Sequence, residues 1–247
     1  MEHRAYTRCT DHRKTAVLMV HGIAGTPAHF AFLMPAVDER FSINNILLDG
    51  HGGTVDDFSR TSMKKWKAQV KAMLDDLFDR YERVFIVAHS MGTLFALQAA
   101  VDHPDRIAGL FLLSPPMRPR VKLSAMLTAV RVALGWYSPA DARAAAMYGD
   151  TSIRLTRKLW KYIGWTPRMI ELVLECRRVR KILPEMKVPA KAFHAKCDEL
   201  VSLRSMKDLA GHPYIENAVL ETSGHFACSA EDGAALRGVL SGMLEKL

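Results

Sequence analysis

The stretch that most constrains this 247-residue chain runs from residue 84 to residue 101. Five apolar residues, 84–88 (VFIVA), run straight into His89-Ser90-Met91-Gly92, and a helical pattern follows over 94–101. A short, wholly apolar run bounded by a turn reads as a strand buried on both faces. Joining it to a helix without a spacer demands a sharp turn with Ser90 at its apex. The residues two before and two after must then be small, and Ala88 and Gly92 are. The pattern is G-x-S-x-G with Ala in place of the first Gly, which keeps the size constraint. Such a turn lifts the serine hydroxyl to the carboxyl end of the sheet, where open α/β sheets bind ligands. It also sets the Met91 N–H at a helix N-terminus, aimed at developing negative charge. A plain serine N-cap is the competing reading. The rest of the chain favours the first.

Further apolar strands are read at 16–20 (AVLMV), 46–48, 107–113, 190–194 and 215–221. Helical patterns are read at about 28–39, 62–80, 201–210 and 230–244; in 62–80, Met63, Trp66, Val70, Met73, Leu74, Leu77 and Phe78 mark one face. This alternation predicts an α/β fold, a mostly parallel sheet with helices on both faces. It breaks at Ser114-Pro115-Pro116 and resumes after Pro189. Residues 1–115 and 190–247 are therefore read as one core domain, and 116–189 as a helical cap or lid inserted between two strands.

Composition matters mainly for where the charge sits. The formal net charge is +8, yet residues 116–189 hold 15 Lys+Arg against 5 Asp+Glu, and the remainder holds 19 against 21. One segment is basic and the rest is slightly acidic, which argues against nucleic acid as a partner. Hydrophobic residues at 49% and charged residues at 24% exclude a disordered or fibrous chain. No apolar run reaches the ~18 residues of a membrane span. The opening MEHRAYTRCTDHRK has no apolar stretch of the kind a signal peptide needs. Cys9, Cys176, Cys197 and Cys228 are scattered, with neither CxxC nor zinc spacing, so a reducing, cytoplasmic setting is expected.

The pieces VLMVHGIAGTPAHF, LLDGHGGT, FIVAHSMGTLFALQAA, LLSPP, HAKCDELVS and TSGHF occur in an order that resembles the α/β-hydrolase superfamily. The resemblance is closer to monoacylglycerol lipases and small bacterial carboxylesterases, and it covers most of the chain outside 116–189. It implies a Ser–Asp–His triad, a covalent acyl-enzyme and a variable lid, with no metal and no organic cofactor. It also implies that the residue after His21-Gly22 donates a backbone N–H to the oxyanion; here that is Ile23, paired with Met91. A phosphate-binding turn is the alternative for this loop, but Gly22 and Gly25 fit neither G-x-G-x-x-G nor a P-loop. His21 is read as a loop-stabilising residue.

A serine hydroxyl needs a base, and the base needs an orienting carboxylate. In such a fold the chain order is Ser, acid, His. Of ten histidines, His225, in Ser223-Gly224-His225-Phe226 between the last strand and last helix, stands where the base belongs. His3 and His12 lie in the N-terminal arm, and His51 and His89 flank the site. For the acid, Asp198 follows the 190–194 strand, with Glu199 as its immediate rival and Asp49 as an outside candidate. The spacing of acid, two residues and an aliphatic residue matches the family at Asp198. Cys197 and Cys228 are read as small packing residues.

The expected activity is hydrolysis of short- to medium-chain carboxylic esters through Ser90, Asp198 and His225. The alternatives are an acyl-thioesterase with the same triad and a non-catalytic binding protein of the same fold. Epoxide-hydrolase or dehalogenase chemistry would want Asp at position 90, and a peptidase would want acids in the cap. Three readings of the basic insertion stay open: apolar faces over an acyl pocket with solvated basic faces, an amphipathic surface for anionic membrane, and guidance of anionic or acyl-carrier-linked substrates.

Overall fold

The computed structural model describes residues 3–10 and 14–247; His12 lies outside them. Seven strands form one sheet: β1 (Tyr6–Arg8), β2 (Thr15–Val20), β3 (Ile43–Ile46), β4 (Arg83–His89), β5 (Ile107–Leu113), β6 (Ala190–Ala195) and β7 (Ile215–Leu220). Their order across the sheet is β1-β3-β2-β4-β5-β6-β7. β1 runs antiparallel to β3, and every other neighbour pair is parallel. The chain steps from β2 outward to β3, then crosses to β4 on the far side of β2. The switch point of the sheet therefore lies between the carboxyl ends of β2 and β4, where a crevice opens.

Helices cover both faces. α1 (Val55–Arg60), α2 (Met63–Arg80) and α3 (Met91–Asp102) precede the insertion. α4 (Leu123–Leu134), α5 (Ala142–Asp150) and α6 (Thr166–Ile182) lie between β5 and β6, and α7 (Arg204–Leu209) and α8 (Ala230–Leu244) close the chain. On one face Leu18, Ile86 and Leu112 pack with Trp66, Leu74 and Leu97 of α2 and α3. On the other, Met19, Val87 and Phe111 pack with Leu236 and Leu240 of α8. Alternate residues of β2, β4 and β5 go to opposite faces, which is why these central strands read as nearly uninterrupted apolar runs.

Three expectations need correction. The helix expected over 28–39 is two short 3-10 turns, Pro27–Phe30 and Met34–Ala36. Pro35 has no N–H to give and its ring would clash with an earlier carbonyl, so a continuous helix cannot pass through it. The strand expected at 46–48 is β3, shifted earlier to Ile43–Ile46. Its buried Asn44 and Asn45 hid it from a hydrophobic pattern; the Asn45 amide donates to Pro27 O at 2.8 Å. The helix expected over 201–210 is only α7, Arg204–Leu209.

The insertion has two parts. α6 buries Cys176 and Val179 in the same cluster as the sheet, so it is a layer helix of the core. α4 and α5 form a small cluster of their own, Val132, Ala144 and Met147, which packs on Phe226 beside His225.

Candidate active site

Ser90 sits between β4 and α3 with φ 50° and ψ −121°, a sparsely populated backbone region for a residue with a Cβ. Such strain costs on the order of 1–3 kcal/mol and persists only where the surroundings enforce it. They do so here. The Ser90 N–H donates to Leu113 O at 2.9 Å, and Thr93 Oγ1 donates to Ser90 O at 2.7 Å. A Cβ on Gly92 would stand 2.1 Å from Val20 O, so only glycine lets α3 start this close to β2. A Cβ on Gly22 would stand 2.8 Å from Ser90 Cβ. The loops after β2 and β4 thus touch at the switch point.

His225 and Asp198 come together from the loops after β7 and β6. His225 Nδ1 lies 2.8 Å from Asp198 Oδ2, with both side chains buried. Asp198 Oδ1 accepts the N–H groups of Leu200 at 2.7 Å and Val201 at 2.6 Å, which fixes its orientation. The neighbouring Glu199 has a different partner: its Oε2 accepts the His225 backbone N–H at 3.1 Å. Burial disfavours charge on both members of the couple. The charge and hydrogen bond of Asp198, helped by Asp150 and Glu199, outweigh it and carry the His225 pKa above the ordinary histidine value. The same attraction and the two N–H donors hold Asp198 below its ordinary value. Among the described residues no hydrogen bond joins Ser90 Oγ to His225; the ring of the adjacent His89 lies 4.8 Å from the His225 ring. Such bonds are often long before substrate arrives.

The loop after β2 is pinned by two histidines. His51 Nε2 accepts the Ala24 N–H at 3.0 Å and holds Ala24 at φ 56°. His21 Nε2 accepts the Leu48 N–H at 3.1 Å, while its Nδ1 meets Gly22 O at 2.8 Å. Burial lowers the His21 pKa well below normal and pushes His51 down to about 4, so both are neutral at pH 7. Neutrality is required, since a protonated Nε2 could not accept an N–H. Among the described residues the Ile23 and Met91 N–H groups have no partner. Asp49 takes no part: its side chain accepts from Thr61 Oγ1 at 2.8 Å and its carbonyl from the Trp66 indole at 2.8 Å.

The sequence reading missed a second Asp–His couple. His29 Nδ1 lies 2.8 Å from Asp150 Oδ1, joining the 3-10 turn after β2 to the end of α5. The His29 ring stacks on His89 at 3.8 Å and 20°. His29, His89 and Asp150 each present a ligand atom within 4.8 Å of the others. Zinc binds imidazole nitrogens at ~2.0–2.1 Å, roughly in the ring plane. Two nearly parallel stacked rings do not aim their lone pairs at one such point. The trio as arranged is a hydrogen-bonded pair and a stack.

The cysteine readings divide. Cys228 is half-buried, and burial raises its pKa away from thiolate chemistry. Cys197 is exposed, which corrects its reading as a packing residue.

A cavity of about 340 Å³ opens beside the loop after β2, lined mainly by apolar side chains including Ala24, Val130, Val132, Met147, Leu159 and Trp165. Leu123, Met126 and Leu127 of α4 are exposed, as are Trp136, Trp160 and Ile163 further along the insertion.

An open α/β sheet with a serine on a strained strand-to-helix turn at its switch point, and a buried Asp–His couple on loops at the same end of the sheet, is the arrangement of a class of hydrolases. The profile of the Alpha/beta hydrolase family matches residues 17–237, and the chain belongs to that family. A thermostable monoacylglycerol lipase of Bacillus sp. (strain H-257) is 34% identical over 90 residues, 36% of each chain. The dihydrolipoyllysine-residue acetyltransferase component of an acetoin cleaving system from Cupriavidus necator is 29% identical over 99 residues, 40% of this chain and 26% of that one. The matched stretch thus spans about a third or less of these curated relatives. Among solved structures, a metagenome-derived lipolytic enzyme of the LipS and LipT study superposes with TM-score 0.73 at 19% identity, covering 99% of this chain and 98% of that one. The monoacylglycerol lipase of Paleococcus ferrophilus gives 0.71 at 17% identity, with both chains fully covered. At these identities the likeness is one of fold.

Proposed function

We propose that the protein is a serine hydrolase that cleaves carboxylic esters of short- to medium-chain acyl groups through an acyl-enzyme. The observation that carries this reading is the buried Asp198–His225 couple, 2.8 Å apart, beside a serine held at positive φ. His225 takes the Ser90 proton as Oγ attacks the ester carbonyl. Asp198 keeps the imidazole in the tautomer with Nδ1–H and stabilises the imidazolium. The Ile23 and Met91 N–H groups receive the oxyanion; one such donor is worth ~3 kcal/mol in the transition state. The imidazolium protonates the leaving alcohol, and water then repeats the sequence on the acyl-enzyme. Neither a metal nor an organic cofactor enters these steps. The cavity of about 340 Å³ next to Ala24 supports an acyl substrate.

The test is turnover of p-nitrophenyl esters of graded chain length, together with labelling by a serine-reactive fluorophosphonate. Wild type is expected to hydrolyse and label, and Ser90→Ala to do neither while keeping its fold. Hydrolysis retained by Ser90→Ala overturns the assignment of the nucleophile. An acyl-CoA arm separates esterase from thioesterase.

The cap offers a second proposal, about where the enzyme works. Apolar residues of α4 are exposed, with Leu123 70% and Leu127 58% accessible, in a segment of 15 Lys+Arg and 5 Asp+Glu. Exposed apolar residues with basic surroundings fit the interface of an anionic lipid surface. Co-sedimentation with anionic vesicles but not with neutral ones is the expected result, and equal partitioning overturns it.

A further inference from the structure

The insertion does more than roof the site: it carries a carboxylate into it. Asp150 ends α5, is only 8% accessible, and is bound to His29 of the core across 121 positions of sequence. His29 stacks on His89 at 3.8 Å, and the His89 ring lies 4.8 Å from His225. Three imidazoles therefore stand in a row from Asp150 to the predicted base. The row is largely buried: Asp150 is 8% and His29 10% accessible, and His89 and His225 are buried. A small pocket of about 20 Å³ borders it, lined among others by His29, His89, Ser114 and His225. Little water screens one end of the row from the other, and charge interactions are strong in such a setting.

Turnover places a positive charge on His225 once Ser90 has given up its proton. Asp198 balances it on the Nδ1 side. His89 brings no compensating charge: burial, with its histidine neighbours adding, lowers its pKa well below normal, and its Nδ1 has no partner. We propose that Asp150 is a positioning residue of the active site, an acid supplied by the cap that acts through the His29–His89 stack to stabilise His225 in its protonated form. This rests on the serine-hydrolase reading. Two further contacts tie the cap to the same loop. The α4–α5 cluster packs on Phe226, and Arg143 of α5 lies 4.0 Å from Glu199, which holds the His225 N–H. Docking of the cap and readiness of the base are thereby one event.

The groups that face this row are few. Asp198, Glu199 and Asp150 favour the protonated His225. His29 and His21 bear on His89, His3 bears on Asp150, and Arg143 bears on Glu199. Asp150 is thus the one carboxylate in the set that comes from the cap.

The experiment follows the rate of Ser90 labelling by a fluorophosphonate against pH. In that reaction the Ser90 Oγ–P bond forms, the P–F bond breaks, fluoride leaves and the proton passes to His225. It needs no natural substrate. Asp150→Asn keeps the shape and a hydrogen-bond acceptor for His29 but loses the charge. It is expected to label about tenfold more slowly at the pH optimum, a small share of what general-base catalysis supplies. Its acidic midpoint should also move down in pH. Asp150→Glu should restore the midpoint. A carboxylate that only ties the cap would leave the Asp150→Asn midpoint where wild type has it, and that result overturns the proposal. Should Asp150→Asn not fold, Asp150→Ser is read in the same way. If wild type does not label at all, the nucleophile reading has failed. If wild type labels and the Asp150→Asn midpoint is unmoved, this inference alone has failed.

Discussion

Two Asp–His couples of the same 2.8 Å length occupy this molecule, and they are built differently. Asp198 and His225 stand on consecutive crossover loops at the end of one sheet, 27 residues apart. Backbone N–H groups fix the acid, and both partners are closed off. Asp150 and His29 come from the cap and from the turn after β2, and each is somewhat more accessible, at 8% and 10% against 2% and 4%. The first couple stands on loops of the sheet, and the insertion touches it only through the neighbouring Phe226 and Glu199. The second exists only while α5 lies on the core. A pair of residues thus acquires a different role from what holds it, even where its own geometry is the same.

The largest effect is expected from removing the proposed nucleophile. Ser90→Ala should lower kcat on a p-nitrophenyl ester by up to about 10⁶-fold, as for other members of a catalytic unit, with an unchanged thermal melt. Breaking the core couple is next. Asp198→Asn keeps the hydrogen-bond geometry but favours the wrong tautomer, and a loss of about 10⁴-fold in kcat is expected. A loss under tenfold would show that the two couples are interchangeable.

The pH profile sharpens the comparison. His225 must be neutral to take the proton, and its pKa is raised, chiefly by Asp198 against the opposing effect of burial. In wild type, kcat/KM should therefore fall with acid through a midpoint above the ordinary histidine value of 6.5. The residual activity of Asp198→Asn should have its midpoint lower. A wild-type midpoint below that value would contradict the coupling.

Breaking the cap couple with Asp150→Asn costs about tenfold, as argued above from general-base catalysis, and moves the same midpoint less far than Asp198→Asn. The smallest effect touches neither couple. Leu127→Ser, on the exposed face of α4, should leave soluble-ester turnover within about twofold. Partitioning to anionic vesicles should drop by about tenfold, as expected from one apolar side chain withdrawn from the interface. An equal loss in both assays would mean that the outer face supports the site as well.

Much of the site was legible along the chain because its chemistry is local. The strand, turn and helix around Ser90 lie within 20 residues, and the small residues at 88 and 92 are required by the turn itself. His225 and Asp198 could be placed because each follows a strand read in the sequence and lies in a piece that resembles the family, HAKCDELVS and TSGHF, although β6 and β7 carry polar residues. The family spacing favoured Asp198 over Glu199, and in the structure the two meet different His225 atoms, a side chain nitrogen for one and the backbone N–H for the other. β3 was misplaced because Asn44 and Asn45 are polar residues buried by a sheet context that no local pattern records. α6 looked like cap because its apolar and basic residues are interleaved, yet Cys176 and Val179 are buried in the sheet layer.

The sequence by itself determined the alternation of strand and helix, the sharp turn at Ser90 and the interruption at 116–189, since these follow from periodicity and from the steric needs of a few neighbouring residues. It also located the excess of positive charge in the interruption. Only the tertiary structure decided that Glu199 takes the His225 backbone N–H, that His51 and His21 must be neutral to pin the loop after β2, and that Asp150 returns across 121 residues to His29. The reason is physical. Local sterics act between residues close in the chain, whereas burial, and the charge interactions it strengthens, depend on which distant segments the closed fold brings together.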